Sequence, residues 1–561
     1  MPHQQPAVST GEEPLDVVVL GTGAAGLTAA LAAADAGASV AVFEKGNQVG
    51  GTTCLSSGVA WLPANPLAAR AGIPDSREEG LTYLDSLSRG LIRAELAEAF
   101  VDTVGELLSW LEQRTPLRLQ LIASYPDYHP EHPGGKPRGG RSVEPALFAV
   151  PRLGAWGDRM VGAVRRTAVS ESPMGGGTGV LDPAVLAERE AAGLEGGGRG
   201  MVAALLRGCL DHGVEPVLGA RGVELVVEGG RVAGVRVEWD GRSSVVRARS
   251  GVVLATGGFE WDADLVRDFL RGPIAHPASV PTNTGDGLRM AMRVGAALGT
   301  MREAWWAPVC LLPGQTLQGE QAVYLVNRER TLPGAILVDR RGRRFTNEAA
   351  NYNALGGALH ALDPADLDYL NHPCWLVWDA ACAERYGGFG RGPGEPPPEW
   401  VLRADSVEEL ARRIGVPPET LVATVARWNA SAARAEDPDF GRGTSAYDGF
   451  LGDRSAYPGP ASTVGPLERA PYHAVQVFAS TLGTKGGPRT TVDGAVLDVD
   501  GRVVPGLYAA GNAMAGATGM VYGGAGGTLG PALVFGYRAG RAAARAAGPE
   551  TARPLADAVR P

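Results

Sequence analysis

Apolar residues are arranged along this chain in two rhythms. Towards both ends, short unbroken apolar runs alternate with glycine-dense turns; in the middle, amphipathic helical patterns sit among aromatic residues, prolines and polar loops. Short apolar runs bounded by glycine read as buried strands, and 3.6-residue periodicity reads as helix. Residues 1–14 are then a loose polar tail, 17–20 a first buried strand, 27–36 a helix of strong helix formers, and 39–43 a second strand with Glu44 at its tip. Helical patterns fill 86–114, and Pro116 discourages further extension. The polar and aromatic stretch 124–145 is long for a plain connector, and long structured loops often carry function.

Glycine triplets at 175–177 and 196–198 lead into a helix at 200–212. Residues 223–239 read as a hairpin centred on Gly229-Gly230. A buried strand then runs into a glycine turn within 251–262, and 281–296 is a loop followed by a helix. Between 298 and 478 the character changes, with helices at 407–413 and 418–432. Residues 481–512 return to glycine turns and short strands, and 530–546 is a last helix. The expected architecture is α/β: a Rossmann-like cofactor domain, with a parallel sheet and a β-hairpin insertion, plus an α+β substrate-capping catalytic domain. The cofactor domain comprises 1–297 and a returning part, 479–561; the cap is 298–478.

Composition narrows the class. At 561 residues the chain is too long for one core. Hydrophobic residues at 45% and charged residues at 20% describe an ordered protein. A net charge of -9 without a basic stripe argues against nucleic acid. Five scattered cysteines with no CxxC pair leave metal and disulfide readings weak. With no secretory signal and no apolar run of membrane-spanning length, the expected location is cytoplasmic, with peripheral attachment through an apolar face left open.

Gly21-x-Gly23-x-x-Gly26 lies between a strand and a helix, with Glu44 twenty-three residues after Gly21. The first glycine permits the tight turn, the second the approach of a pyrophosphate, and the third close helix packing. Phosphate sits on the helix N-terminus beside Ala24 and Ala25, and Glu44 can accept both ribose hydroxyls. A single nicotinamide domain leaves the second glycine-dense element, 506–540, unexplained. A flavoprotein whose chain returns over the cofactor needs it, so the expected cofactor is FAD. Further expected contacts are Lys45, Gly51, Thr52, Thr53, Ser57, Gly58, Val223, Ala255, Thr256, Gly257, Asp286, Gly511, Asn512, Gly527, Leu529 and Gly530.

Tyr128, Tyr352 and Tyr522 each sit in a polar loop outside any apolar pattern. A phenol is a poor base at neutral pH unless its phenolate is stabilised. Residue types alone do not select these three. The motifs GTGAAG, EKGNQVGGTT, ATGGFEWD, NTGDG, GRRFTNEAA and GLYAAGN resemble the fumarate reductase and succinate dehydrogenase flavoprotein group. Within it, YPDYHPE, NEAANYNALG, TLGTKGG and YGGAGGTLGPALVFGY resemble the 3-ketosteroid Δ1-dehydrogenases across almost the whole length.

That resemblance implies that Tyr352 is the base, that Tyr128 supports it, and that Tyr522 and the Gly526 N–H hold the C3 carbonyl oxygen. It further implies proton loss at C2 and hydride transfer from C1 to flavin N5, a hydrophobic ketone of steroid type as substrate, a quinone-like electron acceptor and no metal. The family's usual YPGPG is YGGAG here, a departure that bears on the substrate more than on the reaction class. Related flavoenzymes acting on dicarboxylates need an arginine proton donor and cationic groups, whereas the tyrosine set points to a neutral ketone. A non-steroidal cyclic ketone and a non-catalytic electron-transfer protein are the alternatives. Among other residues, Trp305 and Trp306 line a cavity or pack, and Arg343-Arg344 ties cap to cofactor domain or is a solvated pair. Glu12-Glu13 and Glu78-Glu79 face solvent, and His129 and His132 are polar loop residues.

Overall fold

The computed structural model describes residues 15–546; the expected N-terminal tail and Glu12-Glu13 lie outside that range. Its parallel sheet draws on both ends of the chain. Leu15–Leu20 lies between Val40–Glu44 and Arg242–Leu254, parallel to both. Val503–Ala509 continues the sheet in parallel beyond Arg242–Leu254, and Ala495–Leu497 finishes that edge antiparallel. Val217–Leu218 forms the opposite edge. Val17, Val18 and Val19 are fully buried, as the unbroken apolar run requires of a strand covered on both faces.

Two helices cover one another on this sheet. Ala24–Asp35 packs against Leu529–Arg545, and a Cβ at Gly536 or Gly540 would run into the carbonyls of Ala25 and Ala29. Interaxial distance is set by the side chains at the contact, so the alanines of the first helix and glycines of the last bring the backbones together. The hairpin Arg221–Glu228 with Arg231–Trp239 turns at Gly229-Gly230, as its sequence predicts, and extends onto the first half of Arg242–Leu254.

The helical region before Pro116 differs from expectation. It is two helices, Arg77–Ser88 and Ala94–Arg114, the first starting nine residues before the predicted 86. Ser76 caps the first helix by accepting from Glu79 N–H, and Arg89 and Gly90, both at positive φ, end it. Its sparse apolar positions hid it from periodicity.

A second sheet orders Glu320–Leu325, Ala304–Leu317, Tyr472–Thr484, Cys374–Trp378 and Ala335–Val338, with Leu402–Ala404 also paired to Tyr472–Thr484. Val407–Ile414 and Pro418–Ala432 pack on one face of it. Tyr472–Thr484 runs across residue 478 and leads the chain back towards the parallel sheet. Behind this sheet lies a buried ion network. Glu348 meets Arg344 at 2.7 Å and Arg442 at 3.2 Å, while Arg344 also meets Asp437 at 2.8 Å and stacks 4.2 Å over Trp428. Arg344 is therefore neither a solvated charge nor a tie to the parallel sheet: its partners all lie within 348–440. Among the described residues no helix is long and apolar enough to cross a membrane.

Candidate active site

One cavity of about 1050 Å³ runs from the glycine turn after the first strand to a cluster of tyrosines beneath the second sheet. Gly21, Gly23, Ala24 and Ala25 line the first end, together with Glu44 and Lys45. A Cβ at Gly21 would meet the Ala255 carbonyl, and one at Gly26 the Gly21 carbonyl, so strand, turn and helix close on one another only with glycine at both positions. Helix Ala24–Asp35 has no side-chain N-cap bond, which leaves first-turn N–H groups for an anion at its N-terminus. The Glu44 carboxylate accepts from Thr22 N–H (3.0 Å), Thr22 Oγ1 (2.6 Å) and Gly46 N–H (2.8 Å). A carboxylate has about four lone-pair sites, so capacity for a ribose hydroxyl remains. Burial raises the Glu44 carboxyl above its ordinary value despite these bonds.

Lys45 pairs with Asp286 at 3.0 Å, and Arg221 grips the same carboxylate. Thr53 Oγ1 accepts from Ala24 N–H, while Thr52 Oγ1 accepts from Asn283 Nδ2 at 3.1 Å. Gly51, Thr52, Thr53, Ser57, Ala255, Thr256, Gly257, Asp286, Gly511, Asn512 and Leu529 line the cavity as expected of cofactor contacts. Gly26, Gly58, Val223, Gly527 and Gly530 do not. Gly26 and Gly530 instead allow close backbone approach to Gly21 and Trp61, Gly58 to Gly197, and Gly527 to the Tyr522 ring. Val223 is a hairpin residue whose carbonyl accepts from Arg293; Arg221 and Gly222 reach the cavity in its place. Gly26→Ala is accordingly expected to yield protein without bound flavin, checked by the absorbance ratio near 450 and 280 nm after purification.

At the other end Tyr352 meets Tyr128 and Tyr522 edge to face, with ring centroids 5.5 Å and 5.4 Å away, while Tyr128 and Tyr522 are tilted at 38° with centroids 5.1 Å apart. All three are buried, contrary to their polar, loop-like sequence settings. Tyr352 opens helix Tyr352–Leu359, whose N-cap, Asn351, accepts from Ala354 N–H and donates to the Tyr128 carbonyl at 3.3 Å. Tyr128 N–H in turn donates to the Gly523 carbonyl at 2.9 Å, which also accepts from Tyr83 Oη. Three segments distant in sequence are thus tied together at the cluster, by one backbone–backbone bond and by the Asn351 side chain.

Burial pushes the Tyr352 phenol well above its ordinary value, and the neighbouring Tyr522 adds to this; the Tyr128 hydroxyl opposes it. Tyr522 is likewise raised by burial. Its oxygen accepts from Thr528 Oγ1 at 3.2 Å, which leaves the phenolic hydrogen free to donate. Gly526 lies on the same wall at φ +92°, where a side chain would strike the Val59 carbonyl. Its N–H finds no protein acceptor among the described residues. A phenolic O–H and a backbone N–H on one wall are the parts of an oxyanion hole.

Behind Tyr522 stands Trp305, edge-on at 4.8 Å, its Nε1 donating to Asn512. Lys485 Nζ sits 3.8 Å over the Trp305 ring and donates to the carbonyls of Gly519 (3.2 Å) and Val521 (2.7 Å), holding the loop that presents Tyr522. Burial lowers this ammonium to about 7, with Glu303 opposing. Trp306 packs away from the cavity, against His360, with Nε1 on Glu303. His129 faces Asn351 Nδ2, its imidazole lowered to about 4 by burial, so it is neutral at physiological pH. Asn351 and Lys485 escape sequence reading because their roles depend on contacts between remote segments. A further cavity residue, Arg328, was hidden in the run NRER, which looks like surface charge.

The chain matches the family described as FAD binding domain over residues 16–529 and belongs to it: it is an FAD-dependent oxidoreductase. Its similarity narrows further. It is 42% identical, over 96% of this chain and 95% of the relative, to a 4-oxocyclohexanecarboxylate 2-dehydrogenase of Sinomonas cyclohexanicum. It is 38% identical, over 93% and 97%, to a 3-oxosteroid 1-dehydrogenase of Mycobacterium tuberculosis. A crystal structure of the 3-ketosteroid Δ1-dehydrogenase of Sterolibacterium denitrificans with 1,4-androstadiene-3,17-dione superposes with a TM-score of 0.85 at 33% identity, covering 95% of this chain and 99% of that one. The glycine end of the cavity carries the Gly21-x-Gly23-x-x-Gly26 turn and lies within the matched residues.

Proposed function

We propose that the protein desaturates the carbon–carbon bond next to the carbonyl of a cyclohexanone-type ring, either ring A of a 3-ketosteroid or a smaller ring ketone. The observation that carries this reading is the meeting of Tyr128, Tyr352, Tyr522 and Gly526 in the cavity that also forms the FAD site. Tyr522 and the Gly526 N–H receive the ketone oxygen and stabilise enolate charge, which acidifies the adjacent C–H. Tyr352 takes that proton, and Tyr128 stabilises the phenolate it must first become. FAD, held by the Gly21–Ala25 turn and its neighbours, supplies the acceptor for the hydride that leaves the next carbon as the double bond forms. The activities for which the relatives are named, on a monocyclic oxo acid and on 3-oxosteroids, share this ring-ketone element.

The test is anaerobic mixing of the holoenzyme with 4-androstene-3,17-dione and, separately, with 4-oxocyclohexanecarboxylate. Bleaching near 450 nm with a product two hydrogens lighter is expected from at least one. Failure of these and of simple cyclohexanones to reduce flavin in FAD-loaded protein would overturn the reading.

A further inference from the structure

We infer that Arg328 is a carboxylate-recognition residue, so that the ring ketone this enzyme prefers carries an anionic carboxylate group. The inference rests on the ring-ketone reading above and adds the chemistry of the rest of the substrate. Arg328 lines the same cavity as the tyrosines. It follows strand Glu320–Leu325, whose last residue packs against the tyrosine cluster, and three residues of chain span at most about 11 Å. The intervening Asn327 touches Met174, which packs against the same cluster. Arg328 thus stands beside the chamber in which the ketone would sit.

Its guanidinium stacks over the Tyr386 ring but has no hydrogen-bond or ion-pair partner among the described residues. Nε is shut off from solvent and has no hydrogen-bond partner among the described residues. No carboxylate among them lies within ion-pair distance of it. The other inward-facing arginines of the second-sheet region are fully engaged: Arg330 with the carbonyls of Val326, Glu348 and Ala350, Arg344 with Glu348 and Asp437, and Arg442 with Glu348 and three further oxygens.

The acids near Arg328 are already spoken for. Glu329 Oε1 accepts from Tyr324 Oη at 2.6 Å. Asp453 accepts from Arg385 and from Tyr386 Oη, over whose ring Arg328 lies at 5.8 Å. Of the remaining charges at that end of the cavity, Glu320 and Arg391 are solvent-exposed. An unmatched buried donor carries a desolvation penalty that a ligand oxygen would relieve. A planar fork of N–H groups matches a carboxylate in two parallel bonds. A tyrosine-lined neutral site has no need of such a cation, whereas an oxo acid does. The Sinomonas relative is named for a substrate that bears a carboxylate, whereas the 3-oxosteroid 1-dehydrogenases are not.

The experiment compares 4-oxocyclohexanecarboxylate with its methyl ester on the holoenzyme, measuring kcat/KM and, by calorimetry, Kd. The acid is expected to be preferred over the ester. Arg328→Gln should weaken its Kd and kcat/KM roughly 10- to 100-fold, the loss falling in KM, with the ester changed less than threefold. Arg328→Lys should restore part of the binding. Acid and ester falling together, or neither falling, would overturn the inference while leaving the ring-ketone reaction of the wild-type enzyme standing. If the acid binds in an Arg328-dependent way yet no ketone is desaturated, the inference stands and the reaction proposed above falls. If the acid does not bind at all, the inference fails.

Discussion

Tyr352→Phe is expected to lower turnover by about 10²- to 10⁴-fold while leaving flavin bound, because in the proposed reaction it removes the group that takes the proton and nothing assigned to FAD. The residue reaches the flavin cavity through its ring, and its helix is capped by Asn351, which the substitution leaves untouched. A pH profile separates this role from mere packing. Burial holds the Tyr352 phenol well above its ordinary value near 10, so the phenolate is a minor species at neutral pH. Each pH unit below that value cuts the reactive fraction tenfold, and kcat/KM should therefore climb from pH 7 to 9. Tyr128→Phe removes the hydroxyl that opposes the rise and should move the whole profile to higher pH at lower rate. A flat profile, or a Tyr352→Phe enzyme with near-normal turnover, would remove Tyr352 from the chemistry.

The second large effect concerns stability. Glu348 is fully buried and is held by Arg344 and Arg442. Burial works to raise its carboxyl, but the two guanidiniums outweigh burial and keep it below the ordinary value. Glu348→Ala leaves the fully buried Arg442 without its carboxylate partner and should cost about 3–5 kcal/mol. The effect should be read as a lower thermal midpoint and early flavin release. The same network sets a pH limit. A carboxyl depressed in the folded state contributes stability that is present above its unfolded value, near 4.3, and is lost as pH falls through the lower folded value. Wild-type protein should lose this contribution on acidification, and Glu348→Ala should show a shallower acid dependence. Since Arg330 holds the carbonyls of Glu348 and Ala350 just before Tyr352, activity should fade before global unfolding in the variant.

The parallel sheet was legible because residues 17–20 and 252–254 are short apolar runs that lead into glycine turns, and because Gly21-x-Gly23-x-x-Gly26 requires its strand and helix. The second sheet was not. Ala304–Leu317 carries two tryptophans, two prolines and a glycine, and its pairing with Tyr472–Thr484 joins residues some 170 apart in sequence. No local pattern reports such a pairing. The tyrosines came from resemblance rather than from their surroundings, since polar loops conceal that all three rings are buried. Arg328 shows the opposite failure: the letters NRER suggest solvent, and only the fold reveals that three of the four residues turn inward towards partners or cavity while one guanidinium lacks both acid and carbonyl.

The contact between the first and last helices has a consequence for biosynthesis. The glycines of Leu529–Arg545 fit against Ala25 and Ala29, and Val503–Ala509 supplies a strand beside Arg242–Leu254. A ribosome adds about 5–20 residues per second, so the nascent first helix waits roughly 25–100 s for the roughly 500 residues that separate it from its covering partner. Throughout that interval its alanine face and one edge of the growing sheet stay open to wrong neighbours, and a chaperone's occupancy of them would decide the yield. Synthesis halted near residue 500 would release most of the polypeptide and the whole of the region 298–478, yet neither the strand Val503–Ala509 nor the helix Leu529–Arg545.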